Sequence, residues 1–596
     1  DWVEWPVEYG APYIERNGTS GYQKPPTFNY DANAGALFTL DSLISGKYDE
    51  PGVAGADPNA PADQVLWTVY NDLNSTLPTA LYGSRPLGLE TQMTMWGYKR
   101  SDALGNLFFK RFRIINKGGV DTSEATPNQT FWIDSMYVAQ WSDPDLGNAG
   151  DDIEGCDTTL SMGFIYNSAA IDQEYRSFNL PPPAAGYDFL AGPSVNGVSG
   201  DSAVINFKRV YGKKNLPMTG LSYFSAGSAF ADPRPRNEAI GANRWWKMLR
   251  GFAPLDGPDV RYPAPPGYTA NAFPLSGAPV AGTGFLDGLG QPYSFSAGDR
   301  RLIICSGPFS MAPGDTQEVV IANVVGLGAD RLSSISVMKF NDQFVQNTFN
   351  ALFVVPTAPS PSVRVAELSK SVMLDWGWDP NVVNKSEYQA VNPGGFTFEG
   401  YNVYQIATSG ANISDGKRLK TFDVVNGSSV LLDLTFDIAS GLIISKPVQF
   451  GTNSGIQRFF EFKKDGLRDL PTISNGQEYY LAVTSYYRST IPGFLPQVLE
   501  SAPARIQVTP HLPNSGTQYN ASIGDTITGV SHTGTSEGSV VVGVVDPSRL
   551  TSDTYKLGFT GTATSKTYSV TNTTKNTVVY SGGRSLGADY GGTDGD

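Results

Sequence analysis

SVMLDWGWDP, residues 371–380, carries apolar side chains at every second position, Val372, Leu374 and Trp376, before a Gly-Trp-Asp-Pro turn. A period of two, filled by β-branched and aromatic residues, marks a strand with one buried face. FEGYNVYQIA (398–407) and NGQEYYLAVTSYY (475–487) have the same character. All three follow the Pro-rich stretch VVPTAPSPS (354–362), which reads as a linker opening a new module.

These segments resemble the B, C and F strands of a fibronectin type III domain. The resemblance covers about 355–510 and implies that Trp376 is the core tryptophan, that Tyr401 and Val403 point inward, and that Tyr479 is the corner tyrosine. The chain departs from that family in its long interval between the second and third strands, which predicts an inserted hairpin or extra strands.

Outward from this module the chain stays rich in strands. QVLWTVYNDL (64–73), LETQMTMWGYKR (89–100), NLFFKRFRIINKGG (106–119) and QTFWIDSMYVAQWSD (129–143) alternate and end in turn residues, and APGDTQEVVIANVVG (312–326) reads as a buried strand after a tight turn. Helical spacing occurs at 237–251, capped by Asn237 and Gly251, and near 331–353, where Ile335, Met338, Asp342, Val345 and Phe349 form one stripe. We therefore expect a mainly β chain of tandem β-sandwich domains, immunoglobulin- or fibronectin III-like, with a few short helices in the N-terminal half. The expected divisions are an N-terminal β-rich domain at 1–205, a sandwich portion with two helices at 206–355 packed with the first, the fibronectin-like module at 356–510, and a small sandwich at 511–596. The last ends without a closing apolar strand, so a neighbouring chain is a candidate to complete it.

Only 17% of the residues are charged, whereas 12% are aromatic and Gly and Pro abound, the composition of a β-rich extracellular protein. A net charge of −14 argues against nucleic acid as a partner, since phosphate binding needs a basic footprint. No run of about 18 apolar residues is present to span a bilayer as a helix. The opening DWVEWPVEYG lacks a leader pattern, as expected of a mature exported chain.

GAPYIERNG, DQVLWTVYNDLN, YVAQWSDPDLGNAGDDIEGCDTTLSMGFIYN and VVDPSRLTSDTYKLGF, with other stretches along nearly the whole chain, resemble a family of large secreted proteins of Bacteroidota and related surface-dwelling bacteria. That resemblance implies export through type IX secretion and an extracellular or cell-surface location. It implies no particular activity.

The stretch QWSDPDLGNAGDDIEGCDT (140–158) concentrates acids. Asp143, Asp145, Asn148, Asp151 and Asp152 form a candidate calcium set, because alternate carboxylates on a glycine-bent loop can converge on one hard cation. A loop capped by its own Asp side chains is the equal alternative. Cys156 and Cys305 are a candidate disulfide, or two separate buried thiols. In RPRNEAIGANRWWKMLRG (234–251), Arg244, Trp245 and Trp246 are candidate glycan contacts, the alternative being a helix packed through its apolar residues. The two histidines, His511 and His532, both lie in the last segment, which excludes His-based zinc or acid–base chemistry elsewhere. A secreted structural or adhesive surface protein, assembling head-to-tail into a filament, fits best. A glycosidase working with paired carboxylates, or a passive glycan-binding module, are the other readings. Expected partners are further copies of the chain or cell-surface glycans.

Overall fold

The computed structural model describes residues 11–15, 20–23 and 62–584, apart from 63, 73–75, 99–101, 119–131, 226–227, 229, 438, 536–539 and 563–564. The chain is mainly β, with antiparallel sheets and few helices, as its alternation predicts. It forms two compact units, Asp1–Val355 with Thr435–Ile444, and Pro356–Leu434 with Ser445–Asp596.

In the first unit the strands are β1 (Ala11–Glu15), β2 (Ser20–Gln23), β3 (Gln64–Asn71), β4 (Leu89–Gly97), β5 (Leu107–Asn116), β6 (Ile133–Ser142), β7 (Asp152–Asp157), β8 (Met162–Asn167) and β9 (Ala184–Ala191). Short hairpin strands β10 (Ser194–Asn196), β11 (Ser202–Ile205), β12 (Lys208–Tyr211) and β13 (Lys213–Asn215) follow, then β14 (Gly220–Ser225), β15 (Arg300–Met311) and β16 (Thr316–Gly326). Its helices are α1 (Thr76–Tyr82), α2 (Gln173–Ser177), α3 (Asn243–Leu249) and α4 (Arg331–Asn350). A nine-stranded sheet runs β2-β1-β3-β4-β5-β16-β9-β8-β7, and a second runs β14-β15-β6. Val138, Leu221, Leu302 and Ile304 of the small sheet pack against Cys156, Phe189, Val319 and Ile321 of the large one.

β16 ties the two N-terminal portions together. It pairs with β5 on one side and β9 on the other, so 1–205 and 206–355 share one sheet. Its run of apolar residues is continuous because both faces are covered: Val319 and Ile321 face the small sheet, and the alternate face lies under α4. At Gly326 a Cβ would sit 2.2 Å from the Met338 nitrogen, so glycine is what lets the strand approach that helix. A capping box starts α4, with Asp330 accepting from Leu332 and Ser333 nitrogens and Ser333 Oγ accepting from Asp330 N.

The second unit contains β17 (Arg364–Leu368), β18 (Ser371–Asp375), α5 (Pro380–Glu387), β19 (Phe396–Ile406), β20 (Lys417–Asp423), β21 (Val430–Asp437), β22 (Leu442–Phe450), β23 (Phe459–Phe462), β24 (Tyr479–Ser489), β25 (Val498–Glu500) and β26 (Ala504–Val508). The tip of the β21–β22 hairpin groups with the first unit. Sheets β17-β18-β23 and β20-β19-β24, the latter continued by β25 and β26, enclose one core. Trp376, Tyr401, Val403 and Tyr479 all lie in it, the Trp376 and Tyr401 rings 5.6 Å apart. Tyr479 Oη accepts a hydrogen bond from the Ser474 nitrogen at 2.9 Å. The long interval after β19 supplies β20, the β21–β22 hairpin and β23.

The expected small C-terminal sandwich is not formed among the described residues. β27 (Tyr555–Thr562), β28 (Ser565–Asn572) and β29 (Thr577–Arg584) make one three-stranded sheet that belongs to the second unit. The apolar stretch around 540–546 bridges Thr526 through Gly543 and exchanges backbone hydrogen bonds with residues 524–527, but it is no strand of that sheet; Val541 stands 78% exposed, whereas Val544 is buried.

Candidate functional site

The acidic loop begins where β6 ends. At Gly147 (φ +74°) a Cβ would lie 2.6 Å from the Asp172 carboxylate, so the loop can close only around glycine. Asp172 caps α2 through Glu174 and Tyr175 nitrogens, and its other oxygen accepts from Asn148 N at 2.8 Å. Asn148 Oδ1 in turn accepts from Gly150 N. Asp151 Oδ1 accepts from Asn167 Nδ2 at 2.9 Å, and the buried Asp152 accepts from Leu146 N at 3.2 Å. Burial pushes the Asp152 carboxyl up to about 7.

The expected five-residue calcium set is therefore divided. Asn148, Asp151 and Asp152 satisfy the backbone and side chains of their own loop, while Asp143 and Asp145 turn away to meet Asp299, just before β15. One ligand atom from each of these three acids lies within 4.8 Å of the others. Such a triad is the donor type a hard cation takes. Arg301 already occupies part of it, 3.1 Å from Asp143 and 3.0 Å from Asp299. Burial, helped by Asp299 and Asp145, raises the Asp143 carboxyl despite the guanidinium. Asp299 was not legible as a member, since only the pairing of β15 with β6 brings it there.

Behind this corner lie carboxyls that do not reach solvent. Asp287 takes a bidentate pair from Arg300 (2.8 and 3.1 Å) and also accepts from Glu154 N. Glu154 is 1% exposed, and burial, with Asp287 beside it, drives its carboxyl well above the usual range. On the other face of the large sheet, Asp188 of β9 and Asp342 of α4 are both fully buried and face each other; burial and mutual repulsion raise Asp188, and burial raises Asp342 to about 7. Such a pair holds together by keeping a proton. These groups are internal and cannot meet a polymeric substrate as they stand.

Cys156 and Cys305 are free, buried thiols, not a disulfide. Alternation along β15 is the reason. Cys156 packs with Leu302 and Ile304 between the sheets, whereas Cys305 shares the opposite face of β15 with Ile303 and donates to Gly220 O at 3.1 Å. Burial pushes the Cys305 thiol up to about 12 and the Cys156 thiol higher still.

The Trp/Arg helix also divides its candidates. Trp245 packs on Tyr82 and Phe224, and Arg244 is held by Asp256 (3.0 and 2.8 Å) and by Arg234 O. Trp246 stays at the surface, 36% exposed, edge-on to Tyr137 and beneath Arg250.

The C-terminal sheet has a different character. On β27, Tyr555, Leu557 and Phe559 alternate onto one face and are 47%, 37% and 54% exposed; Val578 and Val579 of β29 are 65% and 60% exposed. Leu557 pairs with Val570, Phe559 with Tyr568, and the Tyr568 and Tyr580 rings stack at 5.4 Å. Residues 555–584 hold four Lys and Arg and no Asp or Glu, so against a total of −14 the remainder of the chain carries −18.

Comparison with protein-family models, with curated proteins and with solved structures gave no match.

Proposed function

We propose that the protein is an exported structural or adhesive subunit that associates with further copies of itself through its C-terminal sheet. The observation that carries this reading is that sheet: three strands, the outer two of which hold Tyr555, Leu557, Phe559, Val578 and Val579 open to solvent. Contiguous exposed apolar surface marks an interaction face. Its occupant is a second copy, because a basic segment on a strongly acidic chain is complementary to the rest of the same chain. Such a contact joins unlike surfaces, and heterologous contacts that do not close on themselves propagate into filaments. The likeness of residues 356–508 to a fibronectin type III module, supported by the β17-β18-β23 and β20-β19-β24 sheet order, fits a structural role in a surface protein.

Light scattering after size exclusion, with negative-stain microscopy, tests this. Wild-type protein should show concentration-dependent assembly that weakens at high salt, and Phe559→Asp should remain monomeric with an unchanged melting temperature. A wild-type protein that stays monomeric at every concentration, without filaments, would end the proposal.

A further inference from the structure

Beyond the assembly reading, and independent of it, we infer that the outward face of β6, together with Trp246, Arg250, Phe252 and Arg261, binds a linear polysaccharide bearing carboxylates, a polyuronate.

The first observation is an aromatic row. Tyr137, Ala139 and Trp141 occupy alternate positions of β6 and so share a face; Ala139 is exposed between them and Trp141 is 47% exposed. At about 3.4 Å per residue the two rings are set roughly 13 Å apart along the strand, a spacing suited to a chain rather than to a single small ring. Trp246 stands edge-on to Tyr137 at 5.4 Å and extends the row sideways. Aromatic faces of this kind offer apolar area at low entropic cost to the C–H faces of pyranose rings.

The second observation is a pair of like charges. The Arg250 guanidinium lies 5.0 Å from the Trp246 ring centre and 5.1 Å from that of Phe252, and Arg261 stacks on the other ring contact of Phe252 at 3.6 Å. Arg261 Nη1 donates to Arg250 O, which fixes the two cations side by side. The one ion pair on this couple among the described residues is Arg250 with Asp259, at 2.8 Å. Of these two partly buried guanidiniums, Asp259 thus pairs with that of Arg250. The Nε and Nη2 donors of Arg261 and Nη2 of Arg250 have no protein acceptor among the described residues. Holding two cations together with one anion between them is unfavourable, and a ligand carboxylate accepting from both would relieve it. An unsulfated, carboxylated sugar chain is the chemistry that satisfies both halves, with rings for the aromatic row and a carboxylate for the arginines.

Isothermal titration of the full chain with oligogalacturonate, with neutral cello-oligosaccharide and with dextran sulfate tests the assignment. Oligogalacturonate should bind at least tenfold more tightly than the neutral chain. That binding should fall at least tenfold in Arg261→Ala, less in Arg261→Lys, and severalfold in Trp141→Ala, a surface substitution that serves as the folding-safe variant. No heat with oligogalacturonate at millimolar concentration would overturn the inference. So would binding unchanged in Arg261→Ala and Trp141→Ala. Dextran sulfate binding equally well and untouched by Trp141→Ala would also overturn it, since that pattern is charge attraction alone.

Discussion

Asp342 shows how a single side chain can set the pH response of the first unit. Its carboxyl is raised to about 7 by burial, against the opposing effect of a hydrogen bond with Asp188, whereas in an unfolded chain it would titrate near 3.9. Below that unfolded value both states are protonated and the pair is at its most favourable. As pH climbs from about 4 towards 7 the unfolded chain releases its proton first, so stability drains away over that window. Asp342→Asn cannot ionise and can still donate to Asp188. It should leave the melting temperature at pH 4 nearly unchanged and raise it by a few degrees at pH 8, as read by calorimetry at both pH values. Tyr479 makes a second residue-scale case. Tyr479→Phe keeps the ring in the core but removes the acceptor of the Ser474 nitrogen, and should cost about 1 kcal/mol in urea unfolding.

At the scale of elements, what could be read from the chain was governed by locality. The strands around Val372, Leu374 and Trp376, or Tyr401 and Val403, announce themselves because a period of two is written in adjacent residues. The start of α4 is equally local, with Asp330 and Ser333 three residues apart. By contrast, the partner of Asp143 and Asp145 is Asp299, supplied by a strand pairing that no short window contains. The same limit hid the fate of the Trp/Arg helix. Trp245 and Trp246 are neighbours in sequence but separate on the helix surface, so one packs inward while the other joins Tyr137. The apolar run at 540–546 suits a strand by composition, but it meets only the short stretch 524–527, and β27 to β29 form without it.

For the whole molecule, the contrast between its two kinds of apolar surface matters most. In the first unit the β14-β15-β6 sheet is covered on one face by the large sheet, and on the other α3 and the loops between β14 and β15 cover those two strands, with Tyr223, Phe230, Tyr262 and Phe295 packed together there. The β27-β28-β29 sheet leaves Phe559 and Val578 in solvent. The assembly proposed above would cover that open sheet, which is why its test belongs to the intact protein.

The two unbridged thiols give the experimenter a gauge. Both belong to the first unit, both are sealed from solvent, and neither is a thiolate at neutral pH. Maleimide should therefore leave the native chain unlabelled for as long as that unit stays shut, and modify it only at the rate of opening. The second unit contains no cysteine and is silent to the reagent. Labelling followed by mass spectrometry during a denaturant titration would time the loss of the first unit on its own. Rapid labelling of either thiol without denaturant would show that the seal around β15 is leaky.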